Sequence, residues 1–191
     1  DDAMFEAIVS AGEQLKADKN VRAVVLSGEG RAFCAGLDMG NFANMAKGDS
    51  GTAAEVSGDA EGRLEKRTHG IANRAQYVSW VWREIQVPVI AALHGVALGG
   101  GCQISVGADM RYAAPGTKLC IMELRWGLVP DMGATPFLQK LVGGAIAPIP
   151  LFMIISAKIV FPLSHNMIGL MPFKLIVIIK CQISSMVIDR P

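Results

Sequence analysis

Charged side chains are scarce in this sequence, and the two signs nearly balance. They make up 18% of the 191 residues, and the formal net charge is +1. Proteins that bind nucleic acid through its phosphates need a clearly basic surface. The balance therefore favours neither a nucleic acid nor a strongly acidic partner.

The sequence also lacks any pair of cysteines close enough to form a C-x-x-C motif. Its four cysteines are widely separated, at Cys34, Cys102, Cys120 and Cys181. This spacing argues against a disulfide framework and against a metal site. It favours a reducing compartment, so we expect the chain in the bacterial cytoplasm, with an organelle matrix as the alternative.

No apolar run is long enough to span a bilayer, which takes roughly 20 residues of helix. The most apolar part of the chain is interrupted by Pro148, Pro150, Lys158 and Pro162. We therefore expect no membrane-spanning segment and no membrane partner. The length fits one domain with a substantial core.

Two common catalytic and cofactor motifs are missing as well. No serine lies in a G-x-S-x-G turn that would place it near His94, so a serine hydrolase is not favoured. The glycines at 99–101 fit neither G-x-G-x-x-G nor the P-loop pattern, which argues against a nucleotide cofactor. We interpret His94 as a structural hydrogen-bonding residue.

What the sequence does contain is an apolar strand, a glycine turn and a helix in succession. Val87–Leu93 has the length and β-branched content of a buried strand, and the glycines at 99–101 precede a small-residue helix over 102–108. The first N–H groups of a helix have no partner within it, and glycines allow another molecule to approach them. Glu123 and Asp131 follow in the chain. Amide donors beside carboxylates are what is needed to polarise a carbonyl and move a nearby proton.

Helix and strand patterns alternate along the chain, which predicts an α/β fold. We predict a strand over Val21–Ser27, and a helix that ends before Pro88 and packs its apolar face in the core. Core packing is also the expected role of Trp82, rather than a position at a pocket. A later helix is expected to begin with Thr135 as its N-cap and Pro136 in its first turn.

Two separated blocks of sequence carry a recognisable pattern. The first is formed by residues 24–28 and 31–38, and the second by residues 90–95, 97–102, 108–111 and 122–131. In order and spacing these blocks resemble the crotonase superfamily, the enoyl-CoA hydratases and isomerases. The resemblance implies a β/α spiral core and an acyl-CoA substrate. It also implies no cofactor beyond the coenzyme A of the substrate, and a homotrimer or homohexamer (dimer of trimers).

The resemblance also suggests how the chain is divided. Residues 1–144 would form a crotonase-like core domain, N-terminally truncated because relatives carry a strand pair before this point. Residues 145–191 are expected to continue the same domain, where the family has C-terminal helices. This segment has no acidic residue before Asp189 and no clear apolar period, as a shifted reading frame would produce.

By resemblance, the oxyanion of the substrate would be stabilised by two backbone N–H groups, those of Leu37 and Gly100. Coenzyme A and the substrate would also contact residues around both donors. These predicted contact residues are Ala35, Gly36, Asp38 and Gly99. A turn at Gly36 and a helix cap at Asp38 are the structural interpretations of the same residues.

The predicted catalytic residues are Glu123, Asp131 and Gln103. Hydratases of the family have a glutamate at the position of Gln103 and another at that of Glu123. A glutamine can orient a water but cannot accept or return its proton. Isomerisation needs only one base, and Asp131 matches an acid that dienoyl-CoA isomerases use. Double-bond isomerisation of an unsaturated acyl-CoA is therefore the favoured function.

Two other functions remain open from the sequence. One is an enoyl-CoA hydratase of fatty-acid β-oxidation, in which Gln103 and Asp131 replace the usual pair of carboxylates. The other is a non-catalytic acyl-CoA-binding protein. The structural alternatives are an ion pair of Glu123 with Arg125 or Arg111, and a turn capped by Asp131.

Overall fold

The computed structural model describes residues 2–36, 67–142 and 176–181. Four α-helices lie in these ranges: α1 (Asp2–Ala17), α2 (Arg74–Glu84), α3 (Gly100–Gly107) and α4 (Ala134–Val142). The strands are β1 (Ala23–Gly28), β2 (Val89–Leu93), β3 (Val96–Leu98), β4 (Met110–Ala113), β5 (Lys118–Cys120) and β6 (Ile176–Cys181). A 3₁₀ helix, Met122–Trp126, lies between β5 and α4 in the chain.

Every strand pair in the described ranges is parallel. One sheet has the order β4-β2-β1-β6, and a second sheet consists of β3 and β5. Val24 of β1 is paired with Val89 of β2, and neither side chain is exposed to solvent. Parallel strands need connections that cross over the sheet, and α2 and α3 lie in such connections. This arrangement confirms the predicted α/β class.

The main core lies between this sheet and helices α1 and α2. On α2, Val78, Val81 and Trp82 are at most 1% exposed. The predicted core position of Trp82 is therefore correct. The N-terminus of α2 is fixed by a capping box, because Asn73 accepts from the N–H of Gln76 and Gln76 accepts from that of Asn73.

Two helices begin at other residues than predicted. In one the cause is the glycine run, and in the other it is a distant side chain. Helix α3 begins at Gly100 rather than at residue 102, because the glycine run itself forms its first turn. Helix α4 begins at Ala134, so the predicted N-cap role of Thr135 is wrong. The N–H of Ala134 is instead 3.4 Å from Oε1 of Gln103, which lies 31 residues earlier in the chain.

Most of residues 145–191, including the C-terminal helices expected there, lie outside the described residues. The described part, β6, is paired with β1 over its whole length. The predicted division at residue 144 stays a prediction. No helix in the described ranges has the length and apolar character that crossing a membrane requires.

The contact between α2 and α3 depends on a glycine. A Cβ atom on Gly107 would overlap the backbone oxygen of Ser79, which a side-chain rotation cannot move. We predict that Gly107→Ala lowers the free energy of unfolding by about 1–3 kcal/mol, as overpacking in a core does. Thermal or denaturant unfolding measures this loss.

The control is Ser10→Ala on the exposed side of α1, which should change stability by less than about 0.5 kcal/mol. Equal stability of Gly107→Ala and the control would contradict the close approach of the two helices.

Candidate active site

The glycine turn lies directly beside the predicted base. Gly99 follows β3 with φ 51° and ψ −122°, a conformation that favours glycine. Its N–H donates to the carbonyl of Cys120 at the end of β5, over 2.8 Å. A Cβ atom on Gly99 would lie 3.3 Å from Oε1 of Glu123. The backbone of the turn and the carboxylate are therefore in near contact.

Gly100 is the first residue of α3, and its N–H makes no hydrogen bond with the residues that the structure describes. An unpaired N–H at the start of a helix is a ready donor to an anionic oxygen. A Cβ atom here would lie 2.9 Å from Sδ of Met132. The donor role of Gly100 stays a prediction.

The loop after β1 runs alongside β3 and brings the two sequence blocks together. Cys34 and Ala97 form a parallel bridge, and the carbonyl of Cys34 accepts the N–H of Leu98 at 2.9 Å. Gly36, with φ +96°, approaches so closely that a Cβ atom would lie 2.8 Å from the Leu98 carbonyl oxygen. Ala35 and Gly36 are thus next to the turn at Gly99. Leu37 and Asp38 lie outside the described residues.

Glu123 is held by Gln103 across the site. Nε2 of Gln103 donates to Oε1 of Glu123 at 2.8 Å. The other carboxylate oxygen, Oε2, is buried and has no hydrogen-bond partner among the described residues. Buried oxygens of this kind usually have a partner. Oε2 is therefore the carboxylate oxygen whose hydrogen-bonding capacity is unused among the described residues.

Gln103 is not exposed at all, although it was predicted as a catalytic residue. Its Oε1 accepts the backbone N–H groups of Met132 at 3.0 Å and Ala134 at 3.4 Å. Both the NH₂ group and the oxygen of this amide are therefore hydrogen-bonded to other protein groups. Sequence reasoning identified Gln103 and Glu123, but not the backbone groups of Met132 and Ala134, which any residue type would provide.

The ion pair that would give Glu123 a purely structural role is not present. No salt bridge joins Glu123 to Arg111 or Arg125 in the described part of the chain. Arg111 donates to the carbonyl of Ala108 at 2.7 Å instead. The carboxylate of Glu123 is thus not neutralised by either arginine.

Two thiols lie near the carboxylate, and both favour the neutral form. Burial, and then the charge of Glu123, raises the pKa of Cys102 to about 12. Burial and Glu123 likewise raise the pKa of Cys120. In the described ranges, no three His, Cys, Asp or Glu side chains come together as a possible metal site.

Asp131 lies in the turn just before α4, and its side chain is half-buried. It makes no hydrogen bond with the described residues, so the alternative of a turn cap has no bond to support it. The next residue, Met132, is bound through its N–H to Gln103. The turn that carries Asp131 is therefore tied to the amide that holds Glu123, while the catalytic role of Asp131 stays a prediction.

Comparisons with known proteins identify related sequences. A family model described as enoyl-CoA hydratase/isomerase matches residues 1–149. A Bacillus subtilis protein named "Probable enoyl-CoA hydratase" is 32% identical over 144 residues, covering 75% of this chain and 49% of that protein. The human mitochondrial Delta(3,5)-Delta(2,4)-dienoyl-CoA isomerase is 32% identical over 139 residues, covering 73% and 40%.

Solved structures show the same similarity. The crystal structure of an enoyl-CoA hydratase from Bacillus anthracis superimposes with a TM-score of 0.57 at 26% identity. The match covers 77% of this chain and 50% of that one. The predicted crotonase-like fold is thus confirmed. This chain spans about half the length of the relatives that it matches.

The close approach of Gly99 to Glu123 gives a testable expectation. We predict that Gly99→Ala strongly reduces turnover of the unsaturated acyl-CoA expected from the sequence, because the added Cβ crowds Oε1 of Glu123 and strains the turn. Initial rates and melting temperatures measure the effect on activity and on folding separately.

Gly116→Ala is the matched control. Gly116 also has a positive φ, of 80°, but nothing lies within 4 Å of its added Cβ. Both variants carry backbone strain, and only Gly99→Ala disturbs the site. If the two variants lost activity equally, the placement of Gly99 against the base would be wrong.

Proposed function

Because this chain belongs to the enoyl-CoA hydratase/isomerase family, we propose that it shifts the double bond of an unsaturated acyl-CoA. The observation that supports isomerisation most directly is the single carboxylate of Glu123, held by a neutral amide rather than by a second acid. Acyl-CoA is the proposed substrate, and its coenzyme A is the only cofactor group that the reaction needs. A trimer or a dimer of trimers remains our expectation for the assembly.

The proposed reaction is a proton transfer in two steps. Oε2 of Glu123 takes a proton from C2 of a 3-enoyl-CoA, and the electrons of that C–H bond move toward the thioester oxygen. The dienolate then takes the proton back at C4, so that the double bond moves from C3=C4 to C2=C3. Glu123 ends as the carboxylate from which it began, and no other reactant is consumed.

The thioester oxygen gains negative charge in the first step, and the backbone is proposed to stabilise it. The N–H of Gly100 is one donor, and that of Leu37 is the second. Removal of one such donor typically costs on the order of 10²–10³ in rate. Ala35, Gly36, Asp38 and Gly99 are the proposed contacts to the rest of the substrate.

Hydration would need a water held and deprotonated beside the double bond. A buried Gln103, with both ends of its amide bound to the protein, is poorly placed to hold that water. Hydration remains the alternative activity, because one relative is named "Probable enoyl-CoA hydratase". The two functions differ in which substrate is consumed, and this makes them separable by assay.

We predict that the protein converts a 3-enoyl-CoA to the 2-enoyl form faster than it hydrates crotonyl-CoA, with deuterium from heavy water appearing at the carbons that exchange protons.

We further predict that Glu123→Gln lowers the rate of this isomerisation by about 10²–10⁴-fold, because the amide cannot accept the proton. Binding of acyl-CoA should be preserved, since the oxygen of the new amide can still accept from Gln103.

Glu29→Gln is the control, because Glu29 is exposed and forms no hydrogen bond or ion pair with the described residues. Faster hydration than isomerisation by the native protein would replace our proposal with the hydratase. Tight binding without either reaction would indicate an acyl-CoA-binding protein.

Asp131 has its own expected effect if it, in place of Glu123, delivers the proton at C4, with the proton on Glu123 then passing to Asp131. Asp131→Asn should slow proton return at C4 while exchange at C2 continues, because Glu123 is intact. Deuterium incorporation at each carbon, followed by NMR, separates the two steps. Equal loss at both carbons, together with a lower melting temperature, would assign Asp131 a structural role instead.

A further inference from the structure

We infer that Gln103 is a positioning residue, which fixes the orientation of the Glu123 carboxylate and ties it to the turn before α4. This inference rests on the proposed function only in taking Glu123 as the base. It gives Gln103 no contact with the substrate, because both ends of its amide already bond to Glu123 and to the backbone at residues 132 and 134. Gln103 therefore acts through Glu123 and through the backbone at residues 132 and 134.

The direction of the Gln103 amide is set by its partners. Two backbone N–H groups, from Met132 and Ala134, point at one end of the amide. Only the oxygen of the amide can accept them, so the NH₂ group must lie at the other end. That end faces Oε1 of Glu123 at 2.8 Å. A flipped amide would place donors against donors on one side and oxygen against oxygen on the other.

This arrangement gives the two oxygens of Glu123 different roles. Oε1 accepts the Gln103 hydrogen bond and lies beside the backbone of Gly99. Oε2 is buried and has no partner among the described residues. A freely rotating carboxylate would exchange its two oxygens. With one oxygen held, Oε2 alone is presented for proton transfer.

The same amide also sets the position of Asp131 relative to Glu123. Its oxygen binds the N–H of Met132, the neighbour of Asp131, and caps α4 at Ala134. Gln103 thus joins the base, the turn and the start of α4. The local sequence around α4 does not show this cap, because Gln103 lies 31 residues earlier. Loss of the amide should displace all three together.

The nature of the side chain at 103 then has a specific electrostatic consequence. A glutamate there would keep one oxygen for the backbone N–H groups, but its second oxygen would face Oε1 of Glu123. Two carboxylates at this distance cannot both be ionised easily, so they share a proton. The amide avoids this, because it donates to a carboxylate without carrying charge.

The other titratable groups near Glu123 do not obscure this effect. Burial, and then the charge of Glu123, raises the pKa values of Cys102 on α3 and Cys120 on β5, so both favour the neutral thiol. The charge of Arg125, on the same 3₁₀ helix as Glu123, partly lowers the pKa of Cys120. Arg125 forms no ion pair with Glu123 in the described ranges. Arg111 is bound to the Ala108 carbonyl. Asp131, in the turn that Gln103 binds, is the remaining carboxylate of this region, and it is present in all the variants compared.

The test compares Gln103→Glu and Gln103→Leu with the native protein. For Gln103→Glu we expect the acid limb of the pH profile of kcat/KM to move upward by at least about one pH unit, because the pair holds a proton to higher pH. For Gln103→Leu we expect kcat to fall about 10²-fold at every pH with KM little changed, because the base is no longer oriented.

A second readout does not depend on turnover. In protein labelled with ¹³C at the glutamate carboxyl, the signal lost in Glu123→Gln identifies Glu123. In Gln103→Glu this signal and a new one should titrate together, as a coupled pair. Gln76→Glu is the matched control, because Gln76 also accepts a backbone N–H as part of a helix cap. It should leave the Glu123 titration and the pH profile as they are in the native protein.

Each result has a defined meaning. Coupled titration in a protein that does not isomerise acyl-CoA would support the positioning inference and overturn the proposed function. Isomerisation with independent titration of the two carboxyls, or with an unchanged acid limb, would overturn the inference and leave the function. If Gln103→Leu fails to fold, Gln103→Glu decides alone, because it keeps an acceptor for both backbone N–H groups.

Discussion

A buried side-chain amide needs hydrogen-bond partners for both its oxygen and its NH₂ group, because an unpaired buried polar group costs free energy. At Gln103 this requirement draws three segments to one point. The 3₁₀ helix supplies Glu123, the following turn supplies the N–H of Met132, and α4 supplies that of Ala134. The candidate active site is arranged around this amide, although the amide itself is closed off from solvent.

Close backbone contacts complete the site on its other side. Gly36 lies against the Leu98 carbonyl, and a side chain on Gly101 would overlap Cys34. Larger residues at these places would push the loop after β1 away from β3. Because the loop and the strand remain together, the segment before residue 37 ends beside the N-terminus of α3. This is how a loop and a helix start that are far apart in sequence become neighbours.

The sequence-based predictions succeed where the signal is local and fail where it is not. The apolar strand ending at Leu93 and the core position of Trp82 follow from patterns of neighbouring residues, and both agree with the structure. The start of α4 does not, because its cap is the side chain of Gln103, 31 residues away. Similarly, the resemblance shows that Gln103 stands where a glutamate is usual. Its partners at residues 132 and 134 are backbone N–H groups, which the sequence does not reveal because almost any residue type provides them.

The neutral charge of Gln103 bears directly on the chemistry that the site can support. In the proposed reaction, proton removal from the thioester places negative charge on its oxygen, while Glu123 becomes neutral as it accepts the proton. A carboxylate at position 103 would, when ionised, add a charge beside that anion. Two unit charges 4 Å apart interact by about 4 kcal/mol at an effective dielectric constant of about 20. The amide orients the base and avoids this repulsion, but it cannot supply the second proton-transfer group that hydration uses. In the proposed isomerisation the amide thus orients the base without adding charge, whereas the alternative hydration would lack a second carboxylate at this position.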